Sequence, residues 1–286
     1  MENNINVIDI IYNLNGFHTK IISIYSTAEL VSRYFTFQLR QCTSKSGETE
    51  WNKKGLLQGQ AIDSPLSDIG MQQAEAVGKY LTDVKFTNVF VSDMARARQT
   101  CKAIVKHNSS CSALEIVTDP LLKERSFGCA EGGLVVDMKS MAAAAGQSWL
   151  DFTPPGGETL EQMKTRIKSF LEHLYQRMLE DHCRSDQEAT RVPETEGVLA
   201  GKPDDGMRDI LAHALVVSHG ALIRVAMRYF VEELMCPLPQ GLDMSHVIAL
   251  CPNTGICRFI LTVTKADAGV SLSAIRCVFI NRCEHI

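Results

Sequence analysis

The chain has 286 residues, 45% of them apolar, which is enough to bury one substantial core. Its net charge of −4 leaves no broad basic surface, so neither nucleic acid nor an anionic membrane is an expected partner. No apolar run reaches the roughly 18 residues of a membrane span, and no basic residue precedes the first apolar stretch as in a secretory signal. The ten cysteines contain no C-x-x-C pair and favour free thiols in a reducing compartment. The composition therefore predicts a cytoplasmic protein, and nothing in it indicates a metal or another cofactor.

The N-terminal part of the chain gives few clear signals. Residues 1 to about 35 mix β-branched runs with a stretch that also fits a helix, and we assign no function to them. Alternating polarity predicts a strand over Thr36–Arg40, and the polar stretch Gln41–Gly47 predicts a loop. Ser67 is a candidate helix N-cap, because apolar residues recur at helical spacing between Ile69 and Leu81.

Two later segments have the order strand, loop, helix that is typical of βα units. Val89–Val91 is followed by a polar loop and a helix through Ile104. Ala214–Val217 leads through Ser218-His219-Gly220 into a helix predicted over Ala221–Leu234. The other predicted elements are a short strand at Glu115–Val117, a long helix with apolar positions from 160 to 178 after the turn Pro154–Gly157, and late strands at Ile256–Val263 and Ala274–Ile280.

The order of these elements predicts an α/β fold with a mostly parallel sheet and helices on both faces. The segment Asp181–His213 is polar and contains several glycines and prolines. Such a composition predicts a flexible surface insertion that carries no chemistry.

Residues that directly follow the strands are the candidates for chemistry, because open α/β sheets bind ligands beyond the carboxyl ends of their strands. Alone, Arg96 is more often a surface charge, and Glu124 beside Arg125 is more often a weak surface ion pair. His219 follows four apolar residues, where a buried imidazole without a partner is costly. Together they suit phosphoryl transfer. Arg96 and His219 supply charge to the phosphoryl oxygens, and protonated Glu124 delivers a proton to the leaving alkoxide.

An ordered series of short motifs resembles the histidine phosphatase superfamily. The motifs are Gly47-Glu48-Thr49, Leu57-Gln58-Gly59-Gln60, Pro65-Leu66-Ser67, Ser92-Asp93 with Arg96, Glu124-Arg125 with Phe127-Gly128, Thr153 to Thr159, Val217-Ser218-His219-Gly220 and Pro252-Asn253-Thr254-Gly255. The resemblance implies a three-layer, phosphoglycerate mutase-like sandwich. It further implies that the substrate is a small phosphorylated sugar or another phosphoester. It is also compatible with association with the nucleus or mitochondria in addition to the cytoplasm.

Within the family, the resemblance is strongest to the fructose-2,6-bisphosphatases. It implies hydrolysis of the 2-phosphate of fructose-2,6-bisphosphate through a phosphohistidine, without a cofactor, which lowers glycolytic flux. It also implies that Arg96 and His219 bind the transferring phosphate and that Glu124 is the proton donor. Asn52 and Gly59 are expected to line the same pocket.

The sequence departs from the family at the nucleophile. The family's nucleophile is a histidine in an Arg-His-Gly triplet before Glu-Thr, and the matching residues here are Lys45-Ser46-Gly47. By this match Lys45 and Gly47 are expected to contact substrate, while Ser46 occupies the nucleophile position. A serine without an adjacent base is a poor nucleophile near pH 7. Pairing Arg40-Gln41 with the family's Arg-His yields no imidazole either, and His18 lies far upstream.

Several explanations of this departure stay open. Residues 47–286 fit one histidine phosphatase domain with an insertion at about 181–213, whereas residues 1–46 do not fit. An alternative or wrongly joined first coding segment would produce that pattern, and so would a pseudo-phosphatase that binds a sugar phosphate or a partner. A phosphoglycerate mutase would use the same core but needs the phosphohistidine. For the chain as it stands we predict weak binding of bisphosphorylated sugars and negligible release of phosphate.

Overall fold

The computed structural model describes residues 10–14, 17–21, 35–182, 210, 212–266 and 269–286. Most of the predicted insertion at 181–213 therefore lies outside the described residues. A short hairpin pairs strand β1 (Ile10–Leu14) with strand β2 (Phe17–Ile21) in a two-stranded sheet of its own. His18 belongs to this hairpin, so it is not part of the main sheet.

The main sheet has six strands in the order β5-β4-β6-β3-β7-β8. Strands β5, β4, β6 and β3 run parallel to one another, β7 is antiparallel to β3, and β8 is antiparallel to β7. Five of the six strands therefore point the same way, and the predicted α/β fold with a mostly parallel sheet is confirmed. The strands are β3 (Phe35–Lys45), β4 (Asn88–Val91), β5 (Ile116–Thr118), β6 (His213–Ser218), β7 (Ile256–Ala266) and β8 (Gly269–Arg282).

The helices follow most of the predicted boundaries. The helix predicted over Ala221–Leu234 is divided into a regular helix and a π-helical turn at Tyr229–Glu233. In the part of the chain that the structure describes, no helix has the length and apolar character to cross a membrane. The helices are α1 (Glu50–Lys53), α2 (Asp68–Tyr80), α3 (Ala95–His107), α4 (Val135–Ala144), α5 (Leu160–His182), α6 (Gly220–Arg228) and α7 (Met244–Ile248).

The prediction of a loop over Gln41–Gly47 was wrong, because β3 continues to Lys45. Its last residues pair on both sides, with Lys45 opposite Ser218 of β6 and Ser44 opposite Ile256 of β7. The side chains from 41 to 44 are buried although most of them are polar. A run of small polar residues is typical of a loop, and nothing in the local sequence indicates that this run is buried in a central strand.

Two hydrophobic cores lie on opposite faces of the sheet and create three layers. On one face α5 and α6 cover the strands, with Phe170 and Leu222 in a large cluster that includes Phe90 of β4. On the other face α2 and α3 cover the same strands, with Val77 and Ile104 among the buried residues. Successive apolar residues of β4 and β6 belong alternately to one cluster and to the other, as expected for parallel strands that are buried on both faces.

The four parallel strands end at the same edge of the sheet. Lys45, Val91 and Ser218 occupy neighbouring register positions at this edge, so Ser46, Ser92 and His219 follow side by side. The edge is therefore the place where a ligand site is expected in this topology.

Candidate active site

A cavity of about 190 Å³ opens at the carboxyl edge of the sheet. Its size suits a small metabolite better than a chain segment of another macromolecule. One wall is apolar, with Phe127, Trp149 and Leu150 among its residues. Of the predicted site residues, the cavity brings together Lys45, Ser46, Asn52, Gly59, Arg96, Glu124 and His219.

Arg96 lies in the first turn of α3, and only 4% of its surface is exposed. Its Nη2 donates to the carbonyl of Gly59 at 3.1 Å and its Nη1 to the carbonyl of Ile62 at 3.3 Å. Among the described residues no carboxylate forms an ion pair with it, and burial lowers the pKa of its guanidinium. The guanidinium is thus held in place by neutral carbonyls, and its charge remains available to an anion.

The segment that holds Arg96 depends on the backbone of Gly59. Gly59 has φ +59°, and a Cβ at this position would come within 2.2 Å of Glu131 Oε1. Any other residue would strain the left-handed backbone and would displace the Glu131 side chain. The backbone conformation and the close contact with Glu131 therefore explain why a glycine stands at this position of the pocket wall.

His219 follows β6 and is 1% exposed. Its Nε2 lies 2.9 Å from Ser92 Oγ, whereas its Nδ1 has no hydrogen-bond partner among the described atoms. Burial lowers the pKa of this imidazole well below its usual value, and the charges of Arg96, Arg166 and Lys45 act in the same direction. The ring is therefore neutral near pH 7.

Glu124 faces the cavity from the segment after β5. Its carboxylate accepts hydrogen bonds from the backbone N–H groups of Arg125 at 2.8 Å, Leu222 at 3.3 Å and Ala221 at 3.4 Å. Its carbonyl accepts from Gln60 Nε2 at 2.7 Å. The carboxyl group is thereby oriented at the N-terminus of α6, beside the imidazole that follows β6.

Arg166 of α5 secures the segment that carries Glu124. Its guanidinium forms a two-point ion pair with Glu158, with Nε to Oε1 at 2.9 Å and Nη2 to Oε2 at 2.8 Å. The same group donates to the carbonyls of Leu121 and Lys123, both at 2.7 Å. Because the two side chains of the pair are only 13% and 14% exposed, the ion pair is largely shielded from water.

We expect Arg166→Met to lower the free energy of unfolding by about 3 kcal/mol, because the carboxylate of Glu158 would stay buried without its partner. Lys168→Met on the same helix is the control, since its half-exposed ammonium should contribute at most about 1 kcal/mol. Chemical denaturation of both variants measures the difference. Equal stability of the two variants would contradict this view of the ion pair.

Lys45 is the last residue of β3, and it lines the cavity. Its Nζ donates to Asn253 Oδ1 at 2.8 Å. Burial lowers its pKa, while the nearby thiol of Cys251 and the carboxylate of Glu124 oppose that shift. An ammonium supplies a point charge, whereas the arginine of the family triplet offers a planar fork of donors.

Ser46 occupies the position directly after β3 and is 3% exposed. Its backbone N–H donates to the carbonyl of Ser218 at 2.9 Å, which fixes it next to His219 in the sheet edge. Among the described residues, none forms a hydrogen bond with the Ser46 hydroxyl. Without a base in contact, this hydroxyl is not activated for attack on phosphorus.

Gly47 differs from the expectation, because it is not among the residues that line the cavity. Its N–H donates to Thr100 Oγ1 at 3.1 Å, and a Cβ here would come within 2.6 Å of the Gly70 carbonyl. The backbone turns away from the cavity at this point to pass close to α2. Gly47 therefore allows the approach of two backbones and does not contact the cavity.

Several contacts of the site were not found from the sequence. The contact of Ser92 with His219 and that of Lys45 with Asn253 each join residues more than a hundred positions apart. These residues belong to motifs that the sequence shows, but no local pattern indicates which of their atoms are in contact. Arg166 gave no signal other than its place on an amphipathic helix.

Within the described ranges, no group of three metal-binding side chains comes together.

Comparisons with known proteins agree with this geometry. The sequence profile of the "Histidine phosphatase superfamily (branch 1)" matches residues 46–183. The Danio rerio protein named "Probable fructose-2,6-bisphosphatase TIGAR A" is 56% identical over 243 residues, which are 84% of this chain and 95% of that protein. The Xenopus tropicalis "Fructose-2,6-bisphosphatase TIGAR" is 41% identical over 85% of this chain and 92% of its own length.

A solved structure shows the same fold at low sequence identity. A phosphoglycerate mutase from Bacillus anthracis matches with a TM-score of 0.60 and 21% identity, over 87% of this chain and 96% of its own. The fold is thus that of a phosphoglycerate mutase-like α/β protein. The extent and identity of the sequence matches go further: this chain belongs to the histidine phosphatase superfamily, whose members include phosphoric monoester hydrolases.

Proposed function

We propose that the cavity binds the 2-phosphate of fructose-2,6-bisphosphate, or of a chemically similar sugar bisphosphate, and that the chain is a phosphatase of this type whose turnover is limited by Ser46. The observation that carries the proposal is the convergence of Arg96, Glu124 and His219 on one cavity. The name of the 56% identical relative supports the same class of substrate.

The proposed binding mode follows from the charges around the cavity. The phosphate oxygens lie between the guanidinium of Arg96 and the imidazole of His219, with the ammonium of Lys45 nearby. Hydrogen bonds from charged donors to phosphate are among the strongest in proteins. Glu124, oriented by three backbone N–H groups, is then the group that in its protonated form delivers a proton to the leaving sugar oxygen and becomes a carboxylate.

Binding without turnover is the second candidate function, and Ser46 is the observation that favours it. In the family, a neutral imidazole attacks phosphorus, an N–P bond forms as the P–O bond to the sugar breaks, and water then hydrolyses the labile phosphohistidine. The serine hydroxyl has no base in contact among the described residues, so the first step lacks its nucleophile. Loss of the nucleophile in another hydrolase lowers turnover about a millionfold, and we expect a loss of that kind here.

We also propose the cytoplasm as the compartment. Nine cysteines lie in the described residues, and all nine are free thiols. Free, mostly buried thiols fit a reducing environment.

Product analysis of the purified chain tests the function. With fructose-2,6-bisphosphate we expect saturable binding by calorimetry and phosphate release near the uncatalysed background. With a phosphoglycerate we expect no isomerised product, whereas its formation would indicate a mutase. Rapid release of phosphate would show that a nucleophile other than residue 46 operates, and absence of binding to every phosphoester would remove the proposal.

A further inference from the structure

The hydroxyl of Ser92 and the imidazole of His219 form a buried pair at the floor of the cavity. Ser92 follows β4, its side chain is fully buried, and its Oγ lies 2.9 Å from His219 Nε2. The same Oγ accepts the backbone N–H of Met94 at 3.3 Å. These contacts decide which atom carries each proton.

A backbone N–H can only donate, so Ser92 Oγ is the acceptor in its contact with Met94. The proton of the hydroxyl still needs an acceptor, and His219 Nε2 is the one available among the described atoms. If Nε2 donated instead, the hydroxyl proton would be left buried without an acceptor, which is costly. The hydroxyl therefore donates to Nε2.

A neutral imidazole carries a single N–H, so a ring that accepts at Nε2 holds its proton on Nδ1. Among the described atoms Nδ1 of His219 has no hydrogen-bond partner, and His219 lines the cavity. Ionised phosphate oxygens accept hydrogen bonds only. A proton on Nδ1 makes the imidazole a donor to phosphate, whereas a lone pair on Nδ1 would repel the same oxygens.

We propose that Ser92 is a positioning residue that fixes His219 as the Nδ1–H tautomer and so makes it a hydrogen-bond donor to bound phosphate. The inference rests on the proposed phosphate site and adds a specific role within it. Ser92 acts through His219 and needs no contact with substrate. A hydroxyl at this position is required, and a side chain of similar size without one is not sufficient.

The tautomer is measured directly by long-range ¹H–¹⁵N NMR of the full-length protein, with the His219 signal identified by its absence in His219→Gln. We expect the wild-type ring to be neutral, with the proton on Nδ1. Ser92→Ala should shift the ring toward the Nε2–H form and weaken binding of inorganic phosphate about five- to tenfold. Ser92→Thr, which keeps the hydroxyl, should restore both. A wild-type ring protonated on Nε2, or on both nitrogens, would overturn the inference whether or not the variants fold.

Arg96→Gln separates this inference from the proposed site. If Arg96→Gln leaves phosphate affinity unchanged, the phosphate site itself fails. If Arg96→Gln weakens binding strongly while Ser92→Ala binds phosphate as the wild type does, the site stands and the role of Ser92 is wrong. Both measurements use inorganic phosphate and the same calorimetric assay.

Discussion

Ser46→His is expected to raise phosphate release from fructose-2,6-bisphosphate by about a thousandfold or more. Position 46 follows the central strand and lines the cavity with His219. An imidazole placed there would therefore meet the phosphoryl group that we propose Arg96 binds. The cations around the cavity keep such an imidazole neutral and hence nucleophilic. The kcat for phosphate release, together with an acid-labile phosphoryl-protein intermediate, measures the gain.

Two matched variants control this experiment. Ser46→Ala should release phosphate as slowly as the unchanged chain, because the hydroxyl contributes nothing to attack. Adding His219→Gln to Ser46→His should remove most of the gain, since the phosphate would lose a donor. If Ser46→His is folded and no faster than the unchanged chain, β3 does not deliver residue 46 to the phosphoryl group.

Arg96→Gln is expected to weaken binding of inorganic phosphate about a hundredfold, because the phosphate would lose two charge-assisted hydrogen bonds from the guanidinium together. Arg98→Gln is the control, since it removes the same charge from the same helix at an exposed position. Calorimetric titration gives both Kd values, and circular dichroism verifies that both variants are folded. Equal losses in the two variants would mean that only general electrostatic attraction is at work.

Much of the fold could be predicted from the sequence, because its βα units have strong local signals. The runs Val89–Val91 and Ala214–Val217 are apolar, short and followed by helices with clear periodicity, and each lies in the sheet as expected. The late strands also form, and both are longer than predicted. Strand β3 was only partly recognised, because its buried end consists of small polar residues whose pairing with β6 and β7 is non-local.

The sequence motifs indicated most of the polar residues that line the cavity, but not the contacts that these residues make with one another. Arg96, Glu124 and His219 follow three different strands, and parallel topology brings them to one edge. The sequence does not show that carbonyls hold Arg96 or that Ser92 contacts His219, because these partners meet only after the sheet is assembled. Gly47 was assigned to the substrate from its motif, although its small size serves a backbone contact with Gly70.

A crystal structure of the protein soaked in inorganic phosphate would show most directly whether a phosphate site exists without an imidazole at position 46. We expect one phosphate whose oxygens lie about 3 Å from the guanidinium of Arg96 and from His219 Nδ1, with Ser46 beside it and Glu124 on the side of the leaving group. A phosphate bound elsewhere, with Arg96 and His219 turned away from each other, would contradict it.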